Sequence, residues 1–111
     1  MTGNKYSAKK AQAVVFALVS EKAFQQQVED LARLLKWKVY HTRDSRRSEP
    51  GFPDLILLRN GIMLVAELKR EGKKPTAKQN EWLREFGKLP AQVITRVWYP
   101  SDIEAIERLL R

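Results

Sequence analysis

The sequence predicts an α/β domain with the element order α-β-β-β-α-β-α and a mixed central sheet flanked by helices. Three observations support this. Apolar residues recur at helical spacing after Ser20, Asn60-Gly61 separates two apolar runs, and residues 62–99 form a strand–helix–strand unit. Because such a unit makes a right-handed crossover, we expect the last strand to lie parallel to the third.

The composition is that of one small basic domain. Its 111 residues include 21 Lys and Arg against 13 Asp and Glu, a net charge of +8, and no cysteine. A disulfide framework, a cysteine-type zinc site and thiol catalysis are therefore excluded. The longest apolar run, Ala13–Val19, is far shorter than the ~20 residues of a membrane span. The positive charge favours a protein that binds nucleic acid inside the cell, and we expect a cytoplasmic location in a bacterial or phage-infected cell.

The chain divides into an N-terminal lead, residues 1–19, and a folded domain, residues 20–111. Ser20 either caps the first helix or lies inside a longer helix that reaches back into the lead. The apolar face of this helix contains Phe24, Val28, Leu31 and Leu35. Because Ala13–Val19 lacks a charge, a helical lead would extend an apolar surface for a second copy to cover, and we expect a homodimer. The alternative is that the lead folds back on its own sheet.

Three strands follow the first helix. Residues 37–42 alternate as a strand, and residues 43–53, rich in Arg, Ser, Pro and Gly, form a loop. Asn60-Gly61 between residues 55–58 and 62–66 predicts a β-hairpin, because both turn residues tolerate positive φ.

Two predicted capping boxes mark the remaining helices. Thr76 and Gln79 open one helix, which ends at Gly87. The inner face of this helix consists of Gln79, Trp82, Leu83 and Phe86. Residues 93–99 form the last strand, and residues 100–104 supply the second capping box. The core-facing residues of the last helix are Ile103, Ile106 and Leu110.

The hairpin register brings two carboxylates together. A two-residue turn pairs Arg59 with Ile62, and the same register continued along the strands places Asp54 opposite Glu67. Facing Cβ atoms are about 5 Å apart, where like charges repel, so a divalent cation is their natural partner. Strand alternation places Lys69 on the same face. The alternative is that two solvated acids end two buried strands.

Glu21 is a third candidate acid. Its helical position lies about 20° from that of Val28, so it shares the apolar stripe and points inward. Glu29 does not point inward by this measure, and it forms an ordinary surface pair with Arg33. Alternatively, Glu21 is an acid at a helix N-terminus, where the macrodipole favours it.

These motifs together resemble the virus-type replication-repair nuclease (VRR-NUC) family of the PD-(D/E)xK nucleases. The segments that carry the resemblance are Gly51-Phe52-Pro53-Asp54, Glu67-Leu68-Lys69 and Pro75-Thr76-Ala77-Lys78-Gln79. The resemblance runs from about Ser20 to the C-terminus and implies a restriction-endonuclease-like core. One departure is Lys36, which stands in a turn where many members have glycine.

The resemblance also implies a function and its residues. It implies a metal-dependent DNA endonuclease, structure-selective on branched DNA such as four-way junctions or flaps. The implied ligands of Mg²⁺ or Mn²⁺ are Asp54, Glu67 and Glu21, with Lys69 as the catalytic lysine and Gln79 as a further site residue. A cation held by carboxylates generates hydroxide near neutral pH and stabilises charge in the transition state. Gln79 is explained equally well by its capping box, and for His41 a structural role outweighs a functional one.

Basic residues follow both strands that carry the acid pair. They are Arg43, Arg46, Arg47, Lys73, Lys74 and Lys78. We expect them to form a rim that contacts DNA phosphates, although a solvated charge run would look the same. The rim alone also suits a non-catalytic nucleic-acid-binding module. A metal-free RNA endonuclease would rely on His, Tyr or Arg, and the acid pair disfavours it.

Overall fold

The computed structural model describes residues 7–43 and 47–111 of the chain. Its helices are α1 (Ala8–Ala17), α2 (Glu21–Leu34), α3 (Ala77–Gly87) and α4 (Ile103–Leu110). Its strands are β1 (Lys38–His41), β2 (Leu55–Arg59), β3 (Ile62–Leu68) and β4 (Val93–Trp98). A short 3₁₀ helix, Pro100–Asp102, precedes α4. The predicted α/β class and element order are confirmed, with α1 placed before them.

The four strands form one mixed sheet in the order β1-β2-β3-β4. The first three are antiparallel neighbours, and β4 is parallel to β3, as predicted. At the hairpin turn Asn60 has a φ of 50° and Gly61 a φ of 77°, the two positive values that a tight two-residue turn needs. Leu55 pairs with Ala66, so the same register places Asp54 opposite Glu67.

One face of the sheet packs against α2 and α4 and forms the core. The buried core residues are Phe24, Val28 and Ala32 from α2, Leu55, Leu57, Leu64, Ala66, Leu68 and Trp98 from the sheet, and Ile106 and Leu110 from α4. Trp37 closes this core, and its indole Nε1 donates to the Leu110 carbonyl at 2.9 Å. Lys36, immediately before it, has a φ of 74°. The turn there uses the left-handed region that glycine enters most easily.

α2 begins at its own cap and does not continue α1. The Ser20 hydroxyl accepts a hydrogen bond from the Ala23 N–H at 3.1 Å, so Ser20 acts as an N-cap and not as the interior of a longer helix. α1 approaches the 3₁₀ helix and contains no buried residue. Among the described residues, no helix is long and apolar enough to span a membrane.

The second capping contact lies earlier than predicted. The Asp102 carboxylate accepts from the Tyr99 N–H at 2.9 Å, at the start of the 3₁₀ helix. The Ser101 N–H donates instead to the Glu71 carboxylate at 2.7 Å. A capping box within residues 100–104 is therefore wrong, because Pro100 opens a 3₁₀ turn before α4 begins.

Candidate metal centre and nucleic-acid interface

Three carboxylates from three elements meet beside the open end of the hairpin. Asp54 directly precedes β2, Glu67 is the second-last residue of β3, and Glu21 is the first residue of α2. Each supplies an oxygen, and these oxygens all lie within 4.8 Å of one another. The structure thus brings together the three acids that the sequence singled out.

Asp54 is held in place by hydrogen bonds on both sides. The Leu68 N–H of β3 donates to its Oδ2 at 2.8 Å. On the β1 side, the Thr42 N–H donates to the Asp54 backbone carbonyl at 2.9 Å, and the Thr42 hydroxyl donates to the Pro53 carbonyl at 2.7 Å. The carboxylate is therefore preorganised, because the Asp54 backbone bonds to Thr42 on the β1 side and its side chain bonds to Leu68 of β3.

Glu67 is buried without hydrogen-bond partners. It is 1% exposed, and within the described residues neither carboxylate oxygen accepts a hydrogen bond. The Lys69 ammonium lies 3.5 Å from its Oε2 as an ion pair. Burial raises the pKa of Glu67 to about 8, and the charge of Asp54 adds to the rise while Lys69 opposes it. Burial also raises the pKa of Asp54, although the Leu68 amide lowers it.

These residues fit a divalent cation. Buried carboxylate oxygens that accept no hydrogen bond carry a large desolvation cost, which an ion coordinated between them offsets. An all-oxygen donor set is the one that Mg²⁺ and Mn²⁺ prefer. Lys69 lies on the same side of the sheet, as strand alternation predicted.

The loop that delivers Asp54 is attached to α3. Gly51 has a φ of 86°, and a Cβ at this position would lie 2.5 Å from the backbone carbonyl carbon of Lys78. Phe52 packs edge-on against Trp82 with ring centroids 5.0 Å apart. The Trp82 indole Nε1 donates to the Pro50 carbonyl at 3.2 Å. Sequence reasoning missed this attachment, because it used Gly51 and Phe52 only as members of a family motif and assigned them no contact with α3.

Gln79 forms the predicted capping box and also lies beside Asp54. Its Oε1 accepts from the Thr76 N–H at 2.8 Å, and the Thr76 hydroxyl accepts from the Gln79 N–H at 3.2 Å, so the capping box is formed. Gln79 also lines a polar pocket of about 280 Å³ beside Asp54. The helix cap therefore does not remove this side chain from the site.

Glu29 is not a surface residue, and the prediction that it does not point inward is wrong. It is 5% exposed and accepts from the Arg33 guanidinium at 3.3 Å and from the Gln25 Nε2 at 3.1 Å. α2 packs against β1, β3 and α4, so more of its circumference is covered than the apolar stripe suggests. Gln25, which sequence reasoning also missed, lines the same pocket as Asp54. Its place one helical turn after Glu21 was the available signal.

The described members of the predicted rim are exposed. Arg43 lines the pocket beside Asp54, and Arg47 lies further along the loop. Arg46 lies outside the described residues. The lysines Lys73, Lys74 and Lys78 are exposed. His41 is half-buried in β1, paired with Leu55, and is not one of the three clustered acids.

Comparison with protein families agrees with this geometry. The model of the VRR-NUC domain matches residues 4–96 of the chain, which includes α1, all three acids and β4 up to Arg96. Neither the curated proteins nor the solved structures contain a match.

Proposed function

The chain belongs to the VRR-NUC family, a family of nucleases, and on this premise we propose that it is a metal-dependent endonuclease that hydrolyses phosphodiester bonds in branched DNA. The observation that carries the proposal is the buried Glu67 carboxylate, which lacks hydrogen-bond partners and lies with Asp54 and Glu21 within ligand distance of a single ion. Four-way junctions and flaps are the proposed substrates.

The site residues have separate roles in this proposal. Asp54, Glu67 and Glu21 would hold Mg²⁺ or Mn²⁺, which when bound lowers the pKa of water and stabilises negative charge in the transition state. Lys69 places an ammonium group beside Glu67, where it lowers the pKa of the attacking water or neutralises the scissile phosphate. Gln79 contacts the substrate from the first turn of α3.

DNA binding would use the basic residues around the site. The chain carries a net charge of +8, and each phosphate contact adds affinity that weakens with salt. The proposed contact residues are Arg43, Arg46, Arg47, Lys73, Lys74 and Lys78. This arrangement separates binding from chemistry, since the rim supplies affinity and the acids supply hydrolysis.

The proposed assembly is a homodimer formed through α1. Val14 and Val15 are each 58% exposed and Leu18 is 80% exposed, an apolar surface of the kind that partners cover. Two sites related by a two-fold axis would suit two strands of a four-way junction. Light scattering of the chain and of a Val14→Asn, Leu18→Asn variant tests this: we expect a dimer that the variant weakens, and a monomeric wild type at micromolar concentration would contradict it.

A cleavage assay tests the nuclease function. Linear duplex, flap and four-way-junction DNAs are incubated with Mg²⁺, Mn²⁺ or a chelator, and we expect metal-dependent cuts in the branched DNAs. Lys69→Ala should not cut, whereas Lys88→Ala, which changes an exposed lysine paired with Glu85, should cut normally. Cleavage in chelator, or cleavage by Lys69→Ala at the wild-type rate, would contradict the proposal.

A further inference from the structure

The pocket beside Asp54 is lined by two glutamines from different helices. Gln25 comes from α2 and Gln79 from the first turn of α3, with Arg43 and Phe52 also in the wall. The pocket volume of about 280 Å³ lies near the lower end for ligand pockets, roughly 300 Å³. It therefore holds a group of about nucleobase size and not a duplex.

A hydrogen bond determines which way the Gln25 amide is turned. Its nitrogen donates to Glu29 at 3.1 Å, and because a carboxylate only accepts, the nitrogen must face Glu29. Glu29 is itself held by Arg33. The Gln25 Oε1 is thus left as a free acceptor, since nothing in residues 7–43 or 47–111 donates to it. A buried carboxylate is used here to orient an amide.

The Gln79 amide is turned the opposite way. Its Oε1 accepts from the Thr76 backbone N–H at 2.8 Å, so its Nε2 is left as a donor. The Thr42 hydroxyl, also in the wall, is already bonded to the Pro53 carbonyl. Of the two amides, Gln25 therefore offers an acceptor to the pocket and Gln79 a donor, while the wall also contains the Arg43 guanidinium and the Glu49 and Asp54 carboxylates.

This polarity discriminates between the parts of a nucleotide. Phosphate and bridging sugar oxygens only accept, so they can pair with Gln79 or Arg43 but leave the Gln25 oxygen without a donor. The Watson–Crick edge of each DNA base carries both a donor and an acceptor. Paired bases use that edge within the duplex, so only an unpaired base offers it to the protein.

We propose that the pocket binds an unpaired nucleobase of the substrate strand, with Gln25 accepting a hydrogen bond from it and Gln79 donating one to it. Glu29 is a positioning residue, because it acts by orienting Gln25. This inference rests on the proposed nuclease function and specifies its substrate: DNA with an unpaired nucleotide beside the scissile phosphate, as at a branch point.

Binding to two strands of equal phosphate number tests the proposal. One is a short fluorescent single-stranded oligonucleotide, and the other has abasic residues in place of its nucleotides. Anisotropy in chelator gives Kd for each, and the ratio of the two values removes the shared phosphate affinity. We expect wild type to bind the base-bearing strand about three- to tenfold more tightly, the usual size of one or two neutral hydrogen bonds.

Three variants identify the source of this ratio. Gln25→Ala should bring the ratio close to one while leaving the Kd for the abasic strand unchanged. Glu29→Gln should lower the ratio partly. The substituted side chain both donates and accepts hydrogen bonds, so it can pair with either end of the Gln25 amide. Gln26→Ala is the matched control: Gln26 is exposed and bonds to Asp30 on the same helix, so the ratio should stay at the wild-type value.

A wild-type ratio of one would overturn the proposal, as would a ratio that Gln25→Ala leaves unchanged. If Gln25→Ala raised the Kd for both strands by the same factor, that result would also overturn the proposal, since it indicates a structural role for Gln25. The measurement needs neither metal nor cleavage. A ratio that behaves as expected in a protein that never cuts DNA would therefore reject the nuclease function alone, whereas metal-dependent cleavage with a ratio of one would reject the pocket alone.

Discussion

The two ends of the β2–β3 hairpin hold charged groups under opposite conditions. At the turn end, the Arg59 guanidinium donates to the carbonyls of Leu35 and Arg111 at 2.7 and 3.0 Å and lies 4.4 Å from the Trp37 ring. At the open end, Glu67 is buried and accepts no hydrogen bond from the described residues. The Arg59 guanidinium therefore has hydrogen-bond acceptors within the chain, whereas the Glu67 carboxylate has no hydrogen-bond donor among the described residues. An incomplete buried site is a poor stability feature and a good ligand site.

The largest expected effect concerns activity at the open end. Lys69→Ala and Glu67→Gln should each lower the cleavage rate by about 10²-fold or more, because they remove groups that the proposed function assigns to the scissile phosphate and the metal. DNA affinity should change by only a few-fold, since the rim is intact. Rates on a four-way junction and Kd by anisotropy measure the two quantities. Cleavage at the wild-type rate by either variant would remove that residue from the mechanism.

The next effect is a pH dependence of stability in the metal-free protein. Because the pKa of Glu67 is raised to about 8 in the folded state, the folded protein keeps a proton that the unfolded chain loses above its ordinary value of 4.5. The free energy of unfolding should therefore fall as pH rises from 4.5 to 8, by about 5 kcal/mol at most. Urea unfolding in chelator measures it. Glu67→Gln should flatten this decline, and parallel profiles for wild type and variant would contradict the assignment.

Metal should stabilise the open end by a comparable amount. A cation at about 100 times its Kd adds roughly 2.7 kcal/mol, so Mg²⁺ or Mn²⁺ should raise the Tm of wild type. Ca²⁺ should do the same without supporting cleavage. Glu67→Gln should lose most of this increase. Coincident melting curves with saturating Mn²⁺ and with chelator would show that the three acids do not bind metal.

Substitution at the turn end should have the opposite sign to substitution at the open end. Arg59→Ala should lower the free energy of unfolding by about 2 kcal/mol, because two carbonyls lose a charged donor and Trp37 loses its cation. In chelator at neutral pH, Glu67→Gln should instead raise it, since Glu67 must take up a proton on folding at that pH whereas the amide is already neutral. Arg84→Ala, on the exposed side of α3, is the control and should change it little. A change of the same sign in the free energy of unfolding for Arg59→Ala and Glu67→Gln would contradict this contrast between the two ends.

The smallest expected effect is at the basic rim, which borders the open end. The double substitution of Arg43 and Arg47 by alanine should weaken DNA binding and reduce the slope of log Kd against log salt by up to ~2. Stability should be unaffected, because both side chains are exposed. Anisotropy across a salt series measures the slope. An unchanged slope would place the DNA elsewhere on the protein.

Much of the fold was predictable because its signals are local. Asn60-Gly61 determines the turn, the turn determines the register, and the register places Asp54 opposite Glu67 without further information. Thr76 with Gln79, and Ser20 as one of two alternatives, likewise mark helix starts through contacts three residues apart. The capping box predicted within residues 100–104 was wrong because a 3₁₀ turn and an α-helix begin with the same residue types.

The sequence by itself determined the strands, their register and the acids at the hairpin end, because periodicity and turn chemistry act over a few residues. Only the tertiary structure decided the environment of those acids. The burial of Glu67, whose oxygens accept no hydrogen bond from the described residues, arises from packing between elements far apart in the chain. The same is true of Glu29, whose exposure depends on what α2 packs against, and of Gln25, whose amide orientation depends on Glu29. Helical angles and strand alternation specify directions, whereas burial and hydrogen-bond partners depend on which elements fill the space in those directions.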